Sequence, residues 1–145
     1  MVVNINKLDA FLLAVLAALI WGIVPVLEKI GMAKISPFTA LFYRCVGVFI
    51  GAFLLLIFII RPEDIKAADT KAIALLILSG FLASVVATIA FYHALKAGDI
   101  SKVVPIGAAY PLVSFILGIA ILHEQFTLIK VAGVVLITCG IWLLK

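Results

Sequence analysis

The chain has 145 residues, which is one domain by length. Hydrophobic residues make up 67% of it and charged residues 12%, with a mean hydropathy of +1.40; ordinary soluble domains hold roughly 45–50% and about 25%. A soluble fold of this size has too little interior for so much apolar side chain. The net charge of +4 is spread over short loops, without the patch that nucleic-acid binding needs.

The expected fold is therefore an all-α integral membrane protein, multi-pass, with five transmembrane helices in a single domain, 1–145. Asp9 precedes Ala10–Leu27, an uncharged run of 18 residues, and the first helix is placed at about 10–31. A signal peptide would have a shorter apolar core and a small-residue cleavage site; this run continues through Trp21, Gly22 and Pro25, so it is expected to be retained. Ser36-Pro37 reads as a helix cap followed by proline at the first helical position. The second helix is placed at about 38–60, with Arg44 as its only charge.

RPEDIKAADTK, residues 61–71, is the most polar segment and has room for a short surface helix. Asp69 or Thr70 can cap a third helix over about 72–97. Gly98 suits a helix end, and Asp99 or Ser101 can cap a fourth over about 102–122. Thr127 can cap the fifth and shortest, about 128–144. Cys45 and Cys139 lie inside apolar runs without metal-like spacing and read as small buried hydrophobes.

Two stretches carry the candidate chemistry. In the fourth helix, Val103–Leu122 is a run of 20 uncharged residues with prolines at 105 and 111. Pro111 removes a donor and clashes with the carbonyl of Gly107, beside Tyr110 at mid-helix. In the first helix, Pro25 frees the carbonyl of Trp21. Two proline-broken helices at the midplane fit the general plan of transporters, in which irregular backbone lines a substrate path; packing kinks are the plainer account.

Glu28 and Arg44 fall at comparable depth on consecutive helices. Arginine alone in a span costs at least ~2.5–3.5 kcal/mol on insertion scales, so a partner is expected. The pair reads either as a gate or substrate contact, or as a purely structural ion pair. His93, Lys96 and Asp99 collect near one membrane face, as interfacial caps and anchors or, for His93, as a proton-linked or substrate group. Gly133 and Gly140 lie seven apart on one face of the fifth helix, which points to close helix–helix packing. Ser84, Thr88 and Ser114 read as hydroxyls bonded back to the backbone. No nucleophile–base set, phosphate loop or metal-ligand group is present, so neither catalysis nor a cofactor is expected.

The order of these features resembles the EamA-type domain of the drug/metabolite transporter superfamily. The matching residues are Trp21-Gly22 with Pro25 and Lys29, Ser36-Pro37 with Arg44, and Tyr92-His93-Ala94-Leu95. Pro105, Pro111, Glu124, Gly133 and Gly140 complete the set. The resemblance implies a small-molecule carrier or exporter working by alternating access, with no nucleotide cofactor, in a prokaryotic plasma membrane. Typical members carry two such domains in opposite orientations. This sequence holds one, and has His123 where the family usually has glycine. The expectation is half of a ten-helix inverted-repeat transporter, active as a homodimer. Its path would draw on Trp21, Pro25, Glu28, Arg44, Tyr92, His93, Gly107, Tyr110 and Pro111.

Basic residues number five on each expected membrane side. Lys7, Arg61, Lys66, Lys71 and Lys130 stand against Lys29, Lys34, Lys96, Lys102 and Lys145. Orientation follows the excess of such residues on cytoplasmic loops, and this balance favours dual topology and an antiparallel pair. A parallel homodimer, a heterodimer with a biased relative, a non-transporting scaffold subunit and a lipid-carrier translocase are the other readings.

Overall fold

A computed structural model describes residues 7–144, with side-chain surroundings from residue 9. Residues 1–6 and 145, the ends of the expected domain, lie outside the described residues, and with them Lys145 of the orientation count. Every regular element among the described residues is helical. The chain divides after Lys96 into two compact units.

The first unit opens with α1, Lys7–Gly31, whose Asp9 in the first turn and Lys29 in the last suit the helix dipole. The helix runs unbroken through Pro25, contrary to the expected break. One lost ladder bond is a small defect in 25 residues, and spanning helices absorb it through neighbouring groups. At Ser36, the hydroxyl oxygen accepts from the Thr39 amide at 3.1 Å, and Pro37 opens α2, Pro37–Phe58. Arg61, forced into extended geometry by the following proline, leads into α3, Pro62–Ala67, the short helix of the polar loop.

Next, α4, Thr70–Phe81, passes into a π-helical turn, Leu82–Ala87, and then into α5, Thr88–Ala97. Together they make one continuous helical stretch of 28 residues, Thr70–Ala97.

The second unit holds α6, Ile100–Gly107, α7, Tyr110–Leu122, and α8, Leu128–Leu143. The fourth expected helix is interrupted at Ala108-Ala109, immediately before Tyr110 and Pro111. The chain tightens there: the Ala109 amide bonds Ile106 O at 3.1 Å and the Leu112 amide bonds Ala109 O at 3.1 Å, both three residues back. Thr127 caps α8 as expected, its hydroxyl accepting from the Lys130 amide.

Asp9–Gly31, Pro37–Phe58, Thr70–Ala97 and Ile100–Leu122 are each long and apolar enough to cross a membrane. The fifth expected helix is shorter, 16 residues in α8, or about 24 Å at 1.5 Å per residue. Only 6% of each of the four candidate spans is buried, so side chains such as Phe11, Leu19, Phe49, Leu76 and Ile121 are presented outward. An apolar surface of this kind suits lipid. Within the first unit, burial concentrates where α1 ends and α2 begins and along one side of α5, at Met32, Leu41, Thr88, Tyr92 and Leu95.

Candidate functional site

That buried zone encloses a polar cluster. Glu28 sits one turn from the end of α1, one residue before Lys29, which bonds the Leu95 carbonyl at 2.9 Å. Its Oε1 receives the Tyr92 hydroxyl at 2.7 Å and lies 3.3 Å from Nε of Arg44. The expected partners on consecutive helices therefore meet, and α5 supplies a third member. Side-chain exposure is 13% for Glu28 and 32% for Arg44, so the pair is mostly withdrawn from the surface. Oε2 of Glu28 takes no bond among the described residues.

Arg44 reaches further. Its Nη1 donates to the Ser84 carbonyl at 3.3 Å, inside the π turn, and Thr88 Oγ1 donates to the neighbouring Ala83 carbonyl at 2.9 Å. A wide turn loosens its backbone ladder, and here side chains bond two successive carbonyls. Ser84, Thr88 and Tyr92 recur at intervals of four, which places polar groups along one side of the third span. Thr88 bonds the backbone as expected of a mid-helix hydroxyl, but its connection to a site was missed. The spacing of four was the available signal.

His93 packs edge-on against Phe38, with ring centroids 5.5 Å apart. Lys96 donates to the Ile35 carbonyl at 2.6 Å, anchoring the α1–α2 connection. Lys29, Met32, Ala33, Leu95 and Lys96 line a shallow pocket of about 310 Å³. Trp21 is exposed, with no hydrogen bond or ring contact among the described residues. Gly107, Tyr110 and Pro111 gather at the interruption of the fourth span, in the second unit.

The profile of the EamA-like transporter family matches residues 9–145. The chain belongs to this family. It is similar to the uncharacterized protein MJ1333.1 of Methanocaldococcus jannaschii, 34% identical over 94% of this chain and 96% of that one. It is also similar to the uncharacterized transporter YoaV of Bacillus subtilis, 28% identical over 97% of this chain but only 48% of YoaV. The chain thus spans about half the length of that relative. No solved structure matches it significantly.

Family membership makes this EamA-like chain a membrane transporter in general terms. Its departure at position 123 also has a structural expression. His123 ends α7 in the left-handed region, at φ 53° and ψ 35°. That is the conformation glycine adopts without a Cβ penalty. The next residue, Glu124, bonds Gly118 O through its amide at 3.1 Å and lays its carboxylate over the buried Gly118, 3.5 Å from where a Cβ would stand. Lys130 approaches that carboxylate at 3.6 Å. A Cβ at Gly133 or Gly140 would meet nothing within 4 Å among the described residues.

Proposed function

We propose that the chain is a half-transporter for small polar metabolites or drugs, with Glu28, Arg44 and Tyr92 as its central polar site. In this reading α8 completes a fifth span, and two chains in opposite orientations build the path by alternating access. One observation carries the proposal: a carboxylate withdrawn between three helices, with one oxygen held by Arg44 and Tyr92 and the other unbonded among the described residues. Ionisable groups within spans are costly and mark substrate or ion pathways. The chain matches about half of YoaV and nearly all of MJ1333.1, and two copies of it would make up the length of the former. Trp21, Pro25, His93, Gly107, Tyr110 and Pro111 line the path in this scheme, and Gly133 and Gly140 pack the dimer. The setting is the plasma membrane of a prokaryote.

The test is flux into liposomes containing only the purified protein, using labelled cationic, anionic and zwitterionic metabolites chosen by thermal stabilisation. The expected result is saturable uptake of at least one class, abolished in Glu28→Gln. A folded protein that carries none of them points to a scaffold subunit. Flux that requires a lipid-linked substrate points to a translocase.

A further inference from the structure

We propose that Arg44 couples the Glu28 carboxylate to a hinge in the third span, the π turn Leu82–Ala87. What occupies Glu28 then sets how firmly that turn is held. The inference rests on Glu28 as the transport site and adds a moving part to it.

Leu82–Ala87 reads LASVVA, without proline or glycine, and Ser79-Gly80 stands just before it. Sharp departures from α geometry need an identifiable source; Ser79-Gly80 loosens the helix at its entry, and two side-chain donors hold the turn itself. Thr88 Oγ1 holds the Ala83 carbonyl and Arg44 Nη1 holds the Ser84 carbonyl. In lipid no water is available to replace either donor. If the guanidinium leaves Ser84, the regular α ladder becomes the arrangement that satisfies the backbone by itself. The third span therefore has two discrete states, a π turn with Arg44 docked and an α helix with Arg44 withdrawn. Absorbing the extra residue turns α4 relative to α5 by roughly 100°, the rotation per residue of an α helix.

The guanidinium suits this role because its donors are fixed in one plane. Nε addresses Glu28 while Nη1 addresses Ser84, so a change at the carboxylate displaces both ends together. Tyr92, eight residues beyond Ser84, is bound to the same carboxylate oxygen. The third span is thus tied to Glu28 on both sides of Thr88. A cationic substrate group bound to Glu28 would weaken its hold on Arg44 and release the turn.

The experiment is amide hydrogen exchange on the protein in lipid nanodiscs, comparing wild type with Glu28→Gln, Arg44→Lys and a deletion of Val86 that removes the extra residue of the turn. Glu28→Gln should slow exchange over residues 84–90 by roughly fivefold, the scale of one hydrogen bond, because the released span takes the regular α ladder. Exchange over residues 47–58 of α2, in the same unit, should stay unchanged, which confirms that this unit remains folded. In the Val86-deleted background, which already lacks the extra residue, the same substitution should have no effect. Arg44→Lys keeps the charge beside Glu28, but a single ammonium cannot serve two sites, so it should release the turn equally. Wild-type exchange over 84–90 in either Glu28→Gln or Arg44→Lys overturns the coupling, and Arg44→Lys decides if Glu28→Gln fails to fold. No transported substrate is needed. A protein that shows this coupling but carries no flux would retain the hinge and lose the transport reading.

Discussion

Tyr92 places its hydroxyl 2.7 Å from Oε1 of Glu28, across 64 residues of sequence. The phenol ring is 2% exposed, so the bond ties the end of α5 to the end of α1 from inside the packed zone. Hydrogen bonds to a charged acceptor contribute about 1.5–3 kcal/mol. Tyr92→Phe keeps the ring and removes only the donor. It should lower stability by about that amount in a reversible detergent-unfolding titration, and wild-type stability would show that the bond carries no weight.

The Glu28–Arg44 pair should show strong non-additivity. Removing one member of a buried ion pair costs about 3–5 kcal/mol because the survivor is left unpaired. The partial exposure of Arg44 places this pair at the low end of that range. The double variant Glu28→Gln with Arg44→Gln should be milder than the worse single one. A strictly additive cycle would mean that the two charges do not depend on each other.

At the end of α7, His123→Gly should stabilise the second unit by about 1 kcal/mol, the low end of what left-handed backbone costs a residue with a Cβ. His123→Val should lower stability by more than that gain, since a β-branched residue there is a marked outlier. Thermal unfolding of both variants reads the difference. A His123→Gly protein less stable than wild type would assign the imidazole a contact that outweighs the backbone term.

Assembly gives a prediction of its own. With basic residues balanced across the expected sides, reporters active on only one face of the membrane should both give signal when fused at the C-terminus. Three lysines added to one side should fix the orientation and impair function, with rescue by the oppositely biased variant. Signal from a single reporter type would leave a parallel dimer or a biased partner instead.

The sequence made some of this geometry readable and hid the rest for physical reasons. Long uncharged runs bounded by charges mark the spans, because insertion penalises charge far more than it penalises any apolar choice. Ser36-Pro37 announces a helix start through chemistry confined to four residues. Glu28 and Arg44 could be paired by depth alone. Pro25 misled, because a local breaker inside a long helix loses to the ladder on either side of it. The π turn holds no breaker of its own beyond Ser79-Gly80 just before it, and the guanidinium that bonds it, Arg44, comes from 40 residues away. Tyr92 could be singled out in the sequence, but its partner Glu28 could not be read from its position in the third helix.

The brevity of α8 has a consequence for the lipid itself. Its 16 residues reach about 24 Å, against roughly 30 Å of hydrocarbon in a typical bilayer. As the fifth span proposed above, a segment short by that margin would draw the surrounding leaflets inward, or let Lys130 extend toward the headgroups. In that arrangement α8 would sit with least distortion where acyl chains are short. Bilayer thickness would then act on this one helix and spare the four longer ones.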